Sequence, residues 1–323
     1  MKKIRAIGVL TSGGDAPGMN AAIRAVVRTA ITEGIKVYGI KRGYNGLYHG
    51  DMFEMNLRSV SDIINRGGTI LYTARSKEFN SPEGVLKAKE QCEKAGLDAI
   101  VCIGGDGTFR GALDLSRVGV PCIGIPGTID NDVGCSEYTI GYDTAMNTAM
   151  EMIDKIRDTA QSHDRCSVIE VMGRRAGYIA VNTGIACGAS AICIPEHPFS
   201  LEKDFFDKVR ANQKTGKRHF IVLVAEGVGG VQQMAEQIES ATGIETRATI
   251  LGHVQRGGAP SLRDRVVASQ MGYHAVKLLL EGKGGRVVAM QNEKIVDVDI
   301  EEALAAKKTL DPALIDMNSE ISI

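Results

Sequence analysis

The sequence is poor in several features that mark common classes of protein. It contains no Trp, and aromatic residues make up only 5% of the chain, which disfavours the stacking surfaces of carbohydrate-binding and single-stranded nucleic-acid-binding proteins. The 38 Lys and Arg residues nearly balance the 39 Asp and Glu residues, so no basic field attracts nucleic acid or an anionic membrane. We therefore expect neither nucleic acid nor a membrane among the partners of this protein.

Cysteine pairs and long apolar runs are also missing. The seven cysteines form no Cys-x-x-Cys pair, and the spacing of Cys187 and Cys193 matches no zinc motif. The best apolar run, FIVLVA (220–225), is too short to cross a membrane and is typical of a buried strand. The first residues, MKKIRAIGVLTSGGD, reach Gly-Gly-Asp too soon for a signal peptide. These absences predict a cytoplasmic protein with reduced thiols.

What the sequence does contain is a regular alternation of strand-like and helix-like segments. The amphipathic segments 19–34 and 261–282 have clear helical periodicity, and each ends at a glycine. Alternation of this kind predicts the α/β fold class, with doubly wound, mostly parallel sheets covered on both faces. The predicted strands are IRAIGVL (4–10), KVYGI (36–40), AIVCI (99–103), PCIGI (121–125), CSVIEVM (166–172), SAICIP (190–195), HFIVLVA (219–225) and RATILG (247–252).

The predicted strands end in similar residues. Glycine, together with Asp, Arg or Glu, follows six of them, and in open α/β sheets the ligand crevice lies outside the carboxyl ends of the strands. We therefore expect these ends to line one cleft or two facing clefts. The strand ends are TSGGD (11–15), GGDGT (104–108), PGTIDND (126–132), MGRRAG (172–177), AEGVGG (225–230) and GHVQRGG (252–258).

Glycine-rich turns of this type allow backbone N–H groups to approach a phosphate closely. Neither GxGxxG nor GxxxxGK[ST] occurs at these turns, which excludes a simple Rossmann or P-loop assignment. Asp106, in the middle of GGDGT, is either a Mg²⁺ ligand beside bound phosphate or the N-cap of a helix. Asp130 and Asp132, which follow a neighbouring strand, favour the metal interpretation.

Arginines supply positive charge near the same predicted strands. Phosphoryl transfer needs a metal, cations on the transferred group and a base for the attacking hydroxyl. Arginines at strand ends or just before strands, in a chain of almost zero net charge, indicate recognition of a multiply phosphorylated ligand. The candidates are Arg75 (after the strand-like ILYTA), Arg165, Arg174, Arg247 and Arg256.

Taken in order, these motifs resemble those of the bacterial-type ATP-dependent 6-phosphofructokinases over essentially the whole chain. GGDGT alone is shared with NAD kinases and diacylglycerol-type lipid kinases, whereas LTSGGDAPGMN (10–20), GGDGT, PGTIDND, MGRRAG and GHVQRGG together are specific. The resemblance implies transfer of the ATP γ-phosphoryl group to the 1-hydroxyl of fructose 6-phosphate. It also implies Mg²⁺ as the cofactor.

The resemblance assigns roles by motif. Asp130 is implied as the base, with Thr128 at the transferring phosphate, Arg174 stabilising the transition state and Asp132 supporting the metal held by Asp106. The implied ATP-binding residues are Gly14, Tyr44, Arg75, Ser76, Gly105, Asp106, Gly107 and Thr108. The implied sugar-phosphate residues are Thr128, Ile129, Asp130, Arg165, Met172, Gly173, Arg174, Glu226, Arg247, His253 and Arg256.

The family architecture implies two Rossmann-like three-layer domains with the active site in the cleft between them. The implied ATP-binding domain comprises residues 1–141 and about 255–305, and the fructose-6-phosphate-binding domain comprises 142–254 and about 306–323. In the family, residues matching Arg165 and Arg247 reach the sugar phosphate from a neighbouring subunit. The resemblance therefore implies a homotetramer with shared substrate sites.

An allosteric site for ADP or phosphoenolpyruvate is also implied, with departures from the family pattern. Ser190 stands where an acidic residue is common, Thr215 stands where a basic residue is common with Lys214 beside it, and Arg58 is one position off. These departures affect the expected effectors rather than the chemistry. The implied effector residues are Arg24, Arg28, Arg157, Gly188, Ser190, Lys217 and His219.

Other functions compete with this interpretation. Pyrophosphate-dependent relatives typically carry Asp at the position of Gly107 and Lys at that of Gly127, so the two glycines favour ATP as the donor. A kinase of NAD or lipid would lack PGTIDND and GHVQRGG. A catalytically dead nucleotide sensor would have lost Asp106, Asp130 or Arg174, all of which are present.

Overall fold

The structure is a computed structural model that describes residues 4–213 and 216–322, with only the backbone of 211–213. Lys214 and Thr215, singled out above, lie outside the described residues. The strands are β1 Ala6–Thr11, β2 Lys36–Ile40, β3 Met52–Met55, β4 Ala99–Gly104, β5 Cys122–Pro126, β6 Cys166–Val171, β7 Ala191–Cys193, β8 Phe220–Ala225, β9 Thr246–Ile250, β10 Arg286–Gln291 and β11 Lys294–Asp299.

The helices alternate with these strands along most of the chain. Short 3₁₀ turns lie at Leu57–Val60, Glu78–Asn80 and Gly252–Arg256, and a π-helical turn at Leu201–Phe206 leads into α7. The α-helices are α1 Met19–Thr32, α2 Gly43–His49, α3 Pro82–Ala95, α4 Asp106–Arg117, α5 Tyr142–Ser162, α6 Tyr178–Ala186, α7 Asp207–Gln213, α8 Val231–Thr242, α9 Leu262–Leu280, α10 Ile300–Ala305 and α11 Ala313–Ile321.

The chain divides into two compact units, and each combines separate stretches of sequence. Unit 1 comprises Met1–Ile129, Val133–Thr144 and Arg256–Lys308. Unit 2 comprises Asp130–Asp132, Ala145–Gln255 and Thr309–Ile323. The ligand that each unit binds stays a prediction at this point.

Within the described residues, unit 1 contains a seven-stranded sheet in the order β11-β10-β5-β4-β1-β2-β3. The five central strands are parallel, and the two edge strands, β3 and β11, run antiparallel to their neighbours. Strands β1, β4 and β5 are completely buried, as expected for a parallel sheet covered on both faces. Sequence reasoning did not predict the edge strands.

Unit 2 contains a four-stranded parallel sheet in the order β7-β8-β6-β9. Its core includes buried valines of β6 and β8 together with Phe205 and Phe220, whose rings meet edge to face. With helices alternating along both sheets, the predicted α/β class with mostly parallel sheets is confirmed.

The two helices with the clearest sequence periodicity form as predicted and pack against each other in unit 1. The hydroxyl of Ser261 accepts a hydrogen bond from the Asp264 N–H and caps α9. A Cβ on Gly272 would lie only 2.8 Å from the Ala22 carbonyl oxygen of α1, so this glycine allows the two helices to approach closely.

One predicted element, the strand-like segment ILYTA, is wrong. ILYTA (70–74) is turn and irregular backbone rather than a strand. Its Ile70 N–H donates to the Asn20 side chain and the Thr11 side chain donates to the Tyr72 carbonyl, so side chains replace a strand ladder. No helix in the described part of the chain combines the length and apolar character that a membrane crossing requires.

Candidate active site

In unit 1, the loops that follow β1 and β4 lie side by side. These strands are parallel neighbours with Thr11 opposite Ile103. Beyond them, the Ser12 N–H donates to the Ile103 carbonyl at 3.0 Å, and the Thr108 hydroxyl donates to the Ser12 carbonyl at 3.1 Å. The predicted nucleotide residues of TSGGD and GGDGT are therefore brought together at the carboxyl ends of these two central strands.

The backbone between these loops has no room for a side chain at Gly104. A Cβ there would collide with the Ser12 carbonyl oxygen and with Thr108 Oγ1. In contrast, nothing lies within 4 Å of a Cβ placed on Gly107. The first glycine is required by packing, whereas the second leaves open space beside Asp106.

This contrast gives a stability prediction. We expect Gly104→Ala to lower the free energy of unfolding by ~1–3 kcal/mol, because an added methyl group in a packed region forces the surrounding atoms to move. Gly107→Ala is the matched control and should not lower it, because the methyl group meets no neighbour and alanine favours a helix more than glycine does. Urea denaturation of both variants tests the prediction, and an equal loss in both would contradict it.

Asp106 lies in the first turn of α4, and the N-cap of that helix is Gly105. The alternative in which Asp106 is the N-cap is therefore wrong. Asp106 is half-buried, and the positive end of the helix dipole, at which it lies, favours negative charge. A carboxylate at this position can be a ligand of a metal ion whose other ligands include phosphate oxygens.

The segment that carries Arg75 and Ser76 is anchored to the end of β1 by threonines. Thr11 Oγ1 lies 2.9 Å from Thr69 Oγ1, and the Thr73 hydroxyl donates to the Gly13 carbonyl at 2.6 Å. Arg75 is exposed and Ser76 is half-buried. Sequence reasoning missed the two anchoring threonines, because only the fold brings them to β1.

Tyr44 and Arg256 contact the nucleotide loops in ways that the sequence did not predict. Tyr44 is buried, stacks on Phe79 with ring centroids 4.3 Å apart, and donates its hydroxyl to the Thr108 carbonyl. Burial raises the pKa of this phenol well above its ordinary value. Arg256 Nη1 donates to the Asp15 carbonyl at 3.2 Å, and its guanidinium would lie 2.6 Å from a Cβ on Gly14.

The PGTIDND segment follows β5 and is almost completely inaccessible. Thr128, Ile129 and Asp130 are all buried. The Thr128 carbonyl accepts a hydrogen bond from the Thr139 hydroxyl at 2.6 Å. Asn131 adopts a left-handed backbone with φ of 52°, which costs energy for a residue other than glycine and marks a constrained turn. The backbone that carries Asp130 is therefore held in one conformation.

In unit 2, Asp132 lies near the arginine predicted to stabilise the transition state. Arg174 Nη1 is 3.7 Å from Asp132 Oδ2. Arg174 has a left-handed backbone (φ 58°) and its N–H donates to Glu226 Oε1, and Gly173 before it has φ of 143°. Glu226 thus orients the main chain at Arg174, and the arginine side chain is left mostly exposed.

Gln255 is a functional candidate that sequence reasoning missed. It is completely buried, accepts a hydrogen bond from the Met172 N–H at 3.2 Å, and donates to the Gly252 carbonyl at 3.1 Å. It therefore fixes the turn of His253, which is itself exposed, against the end of β6. Its position inside GHVQRGG was the available signal.

Glu245, also missed, connects the two arginines predicted to bind the sugar phosphate. Glu245 Oε2 lies 2.8 Å from Arg165 Nε, and its Oε1 accepts from Arg247 Nε at 3.0 Å. The guanidiniums of Arg165 and Arg247 lower the pKa of this half-buried carboxyl below its ordinary value. Arg165 and Arg247 therefore lie on either side of one carboxylate.

The predicted effector residues fall into two groups, one in each unit. In unit 2, burial and the charges of Arg157 and Lys217 lower the pKa of His219, and the Arg157 guanidinium donates to the Cys187 carbonyl. Ser190 is buried, and Gly188 has φ of 58°. In unit 1, Arg24 and Arg28 of α1 are half-buried, and Arg58 is exposed.

Parallel sheets whose carboxyl ends carry glycine turns, paired aspartates and arginines define an α/β protein of the phosphotransferase type. The phosphofructokinase family model matches residues 6–279. ATP-dependent 6-phosphofructokinases from Clostridium botulinum (strain Hall) and Bacillus thuringiensis (strain Al Hakam) are 55% identical to the chain, over 99% of this chain and 100% of theirs. The chain therefore belongs to the phosphofructokinase family, and the resemblance inferred from the motifs is confirmed.

Solved structures agree with this assignment. Phosphofructokinase from Saccharomyces cerevisiae superposes with a TM-score of 0.88 at 35% identity and covers 99% of this chain. The chain spans about half (48%) of that longer yeast chain. Pyrophosphate-dependent phosphofructokinase from Marinobacter aquaeolei, with a TM-score of 0.86, 23% identity and coverage of 98% of this chain and 88% of that one, supports the fold alone.

Proposed function

We propose that this chain transfers the γ-phosphoryl group of ATP to the 1-hydroxyl of fructose 6-phosphate, as a kinase of glycolysis (EC 2.7.1.11). The products are fructose 1,6-bisphosphate and ADP. The observation that carries the proposal is the arrangement after β5 and β6, where buried Asp130 is followed by Asp132 and the Arg174 guanidinium lies 3.7 Å from Asp132. A base for the attacking hydroxyl and a cation that is exposed to the transferring group are among the parts that this reaction requires.

The roles of the side chains follow from their chemistry. The 1-hydroxyl oxygen forms a bond to the γ-phosphorus, the bond from that phosphorus to ADP breaks, and Asp130 accepts the hydroxyl proton. Thr128 provides a hydroxyl beside the transferring group, and the exposed Arg174 side chain is available to neutralise its charge. The constrained backbone of 128–131 keeps the base in position without reorganisation.

Asp106 is the residue that would hold Mg²⁺. No three or more His, Cys, Asp or Glu side chains converge in the residues that the structure describes. Mg²⁺ bound with a nucleotide needs only one or two carboxylates, since phosphate oxygens and waters supply the other ligands. The half-buried Asp106 beside the open space at Gly107 fits this requirement. When bound, the ion neutralises charge on the phosphates.

ATP is the proposed donor because of the space in unit 1. The open surface at Gly107 can admit a nucleotide, and an aspartate there would fill it with a second negative charge. At Gly127, a Cβ would lie 3.1 Å from Ile103 and 3.2 Å from Met19, so a lysine would have to displace packed side chains. Both positions disfavour the pyrophosphate-dependent pattern.

The proposal is tested by the release of ADP from Mg-ATP, measured with and without fructose 6-phosphate, and by the formation of fructose 1,6-bisphosphate with pyrophosphate as the donor. We expect sugar-dependent ADP release with ATP and no reaction with pyrophosphate. Activity with pyrophosphate alone would overturn the donor and leave the fold assignment intact. No activity with either donor would favour the nucleotide sensor.

The Arg165–Glu245–Arg247 arrangement gives a binding prediction. We expect Arg165→Ser to raise KM for fructose 6-phosphate about tenfold to a hundredfold, since a hydrogen bond to a charged group contributes ~1.5–3 kcal/mol. Its kcat should change little, because a phosphate contact is lost and no proton acceptor. Arg210→Ser is the control, because it removes another arginine of unit 2 that pairs with carboxylates, in this case Glu202 and Asp207. An unchanged KM in Arg165→Ser would contradict the assignment of Arg165.

The proposal extends to assembly, regulation and location. We infer a cytoplasmic homotetramer in which Arg165 and Arg247 complete the sugar-phosphate site of a neighbouring subunit, to be checked by light scattering and by mixing Arg165→Ser with Asp130→Ser subunits. Because Arg165→Ser should keep most of its kcat, recovery of the wild-type KM for fructose 6-phosphate on mixing is the result that would support shared sites. The basic group of Arg157, Lys217 and His219 supports an anionic effector such as ADP or phosphoenolpyruvate.

A further inference from the structure

Asp264 is a completely buried carboxylate in the first turn of α9. Its Oδ1 accepts hydrogen bonds from the Tyr138 hydroxyl at 2.6 Å and the Gly141 N–H at 2.7 Å. Its Oδ2 accepts from the N–H of Thr144 at 2.9 Å and from the Thr144 hydroxyl at 2.5 Å. Both carboxylate oxygens therefore bind residues 138–144, which we call the support segment.

The capping of α9 does not explain why a carboxylate is needed at position 264. The cap is Ser261, whose hydroxyl accepts from the Asp264 N–H. Loss of the carboxylate would leave the buried donors of Tyr138, Gly141 and Thr144 without an acceptor, so its role is tied to this segment. Burial raises the pKa of Asp264, and the hydrogen bonds from Thr144, Tyr138 and Gly141 oppose that rise. These bonds make Asp264 specific for one geometry of the support segment.

The support segment in turn holds the residues that follow β5. The Ile140 N–H donates to the Pro126 carbonyl at 2.9 Å, and Gly127 and Ile140 form a parallel bridge. The Thr139 hydroxyl donates to the Thr128 carbonyl at 2.6 Å. Thr128 is two positions before Asp130 in the chain. The contacts therefore run from Asp264, through residues 139–141, to the backbone of the proposed catalytic segment.

The support segment is closely packed, so it can transmit position. Gly141 has φ of 102°, and a Cβ on it would lie 2.6 Å from the Ala16 side chain. A Cβ on Gly18 would lie 2.7 Å from Ile140 and 3.4 Å from the Asp264 Cβ. Because these glycines leave no free volume, displacement of the support segment must displace its neighbours.

We propose that Asp264 is a positioning residue for phosphoryl transfer, which acts by fixing the support segment that holds the Thr128 backbone. The proposal rests on the kinase reaction proposed above. Asp264 touches no substrate. It sets the position of Thr128 and, two residues further on, of the base Asp130.

The first test is Asp264→Asn, which keeps the shape but replaces one acceptor oxygen by an NH₂ group that faces one N–H donor and one hydroxyl donor. We expect kcat to fall about tenfold to a hundredfold, since a displacement of ~1 Å of a reacting group costs ~10²-fold, and KM for both substrates to change little. Gly272→Ala is the matched stability control, because the three atoms nearest to its Cβ all belong to α1. That variant should lose thermal stability and keep the wild-type kcat.

A double-mutant cycle with Thr139→Val tests the route of the effect. Thr139→Val removes the bond to the Thr128 carbonyl, and Thr139→Ser keeps it. If Asp264 acts through the support segment, Asp264→Asn should lower kcat much less in the Thr139→Val background than in the wild type. Thr139→Ser should retain most of the wild-type kcat.

Clear outcomes would overturn the proposal. A wild-type kcat in folded Asp264→Asn would show that Asp264 is only structural. The same would follow if the double variant lowered kcat by the product of the factors found for Asp264→Asn and Thr139→Val separately. If Asp264→Asn does not fold, Tyr138→Phe removes a single bond to the same carboxylate, and an unchanged kcat there would overturn the proposal as well. Failure of the proposed function is distinguishable, because the wild-type protein would then release no ADP in response to fructose 6-phosphate.

Discussion

Asp130→Ser should lower kcat by ~10²–10⁴-fold, the range that a general base typically contributes. The reason is that serine at this position cannot accept the proton of the sugar hydroxyl at neutral pH. ATP affinity should be nearly unchanged, because none of the proposed nucleotide residues lies in the PGTIDND segment. Steady-state kinetics together with direct titration of ATP binding separates the two effects.

The control for this experiment is Asp114→Ser, which removes an exposed carboxylate from α4. Its kcat should equal that of the wild type. Thermal melting of Asp130→Ser, compared with that of the wild type, checks that the variant is folded. A near-normal kcat in folded Asp130→Ser would contradict the assignment of Asp130 as the base.

Arg174→Gln should lower kcat by ~10²–10³-fold, the usual effect of removing one donor that stabilises charge in a transition state. The guanidinium is largely exposed beside Asp132 at 3.7 Å, so it is available to the transferring group. The Arg174 N–H bond to Glu226 belongs to the main chain and should survive the substitution. A loss of kcat therefore reports on the side chain alone.

Arg174→Lys is the comparison that separates charge from geometry. Lysine keeps the positive charge but not the planar fork of donors, so it should recover only part of the lost kcat. Full recovery would mean that charge alone is needed. If Arg174→Gln keeps the wild-type kcat and changes only KM, Arg174 binds substrate equally in the ground state and the transition state.

Much of the fold could be predicted from the sequence because it is encoded locally. Helices α1 and α9 have apolar positions at helical spacing, and the buried strands are continuous apolar runs. The edge strands β3 and β11 were missed, since one face of an edge strand is exposed and its composition is mixed. The composition of ILYTA predicts a strand, but the side chains of Thr11 and Asn20 hold it as a turn.

The candidate site divides in the same way. Asp106, Asp130 and Arg174 were predicted because they stand in motifs at strand ends, and their assigned roles stay predictions until the variants are measured. Glu245 and Asp264 could not be predicted from the sequence. Arg165, the partner of Glu245, and Tyr138 and Gly141, the partners of Asp264, are far from them in the chain and come within reach only in the folded protein.

The sequence by itself determined the α/β class, the order of the glycine-rich turns and the family, since each depends on residues close together in the chain. Only the tertiary structure decided which loops lie side by side. It left no space for a side chain at Gly104 and open space at Gly107. It also determined which carboxylates orient the arginines and the support segment. Hydrogen bonds and close contacts between distant residues exist only after the sheets bring those residues within 3–4 Å of each other. Local pattern therefore specifies the elements, and packing specifies the geometry on which the chemistry depends.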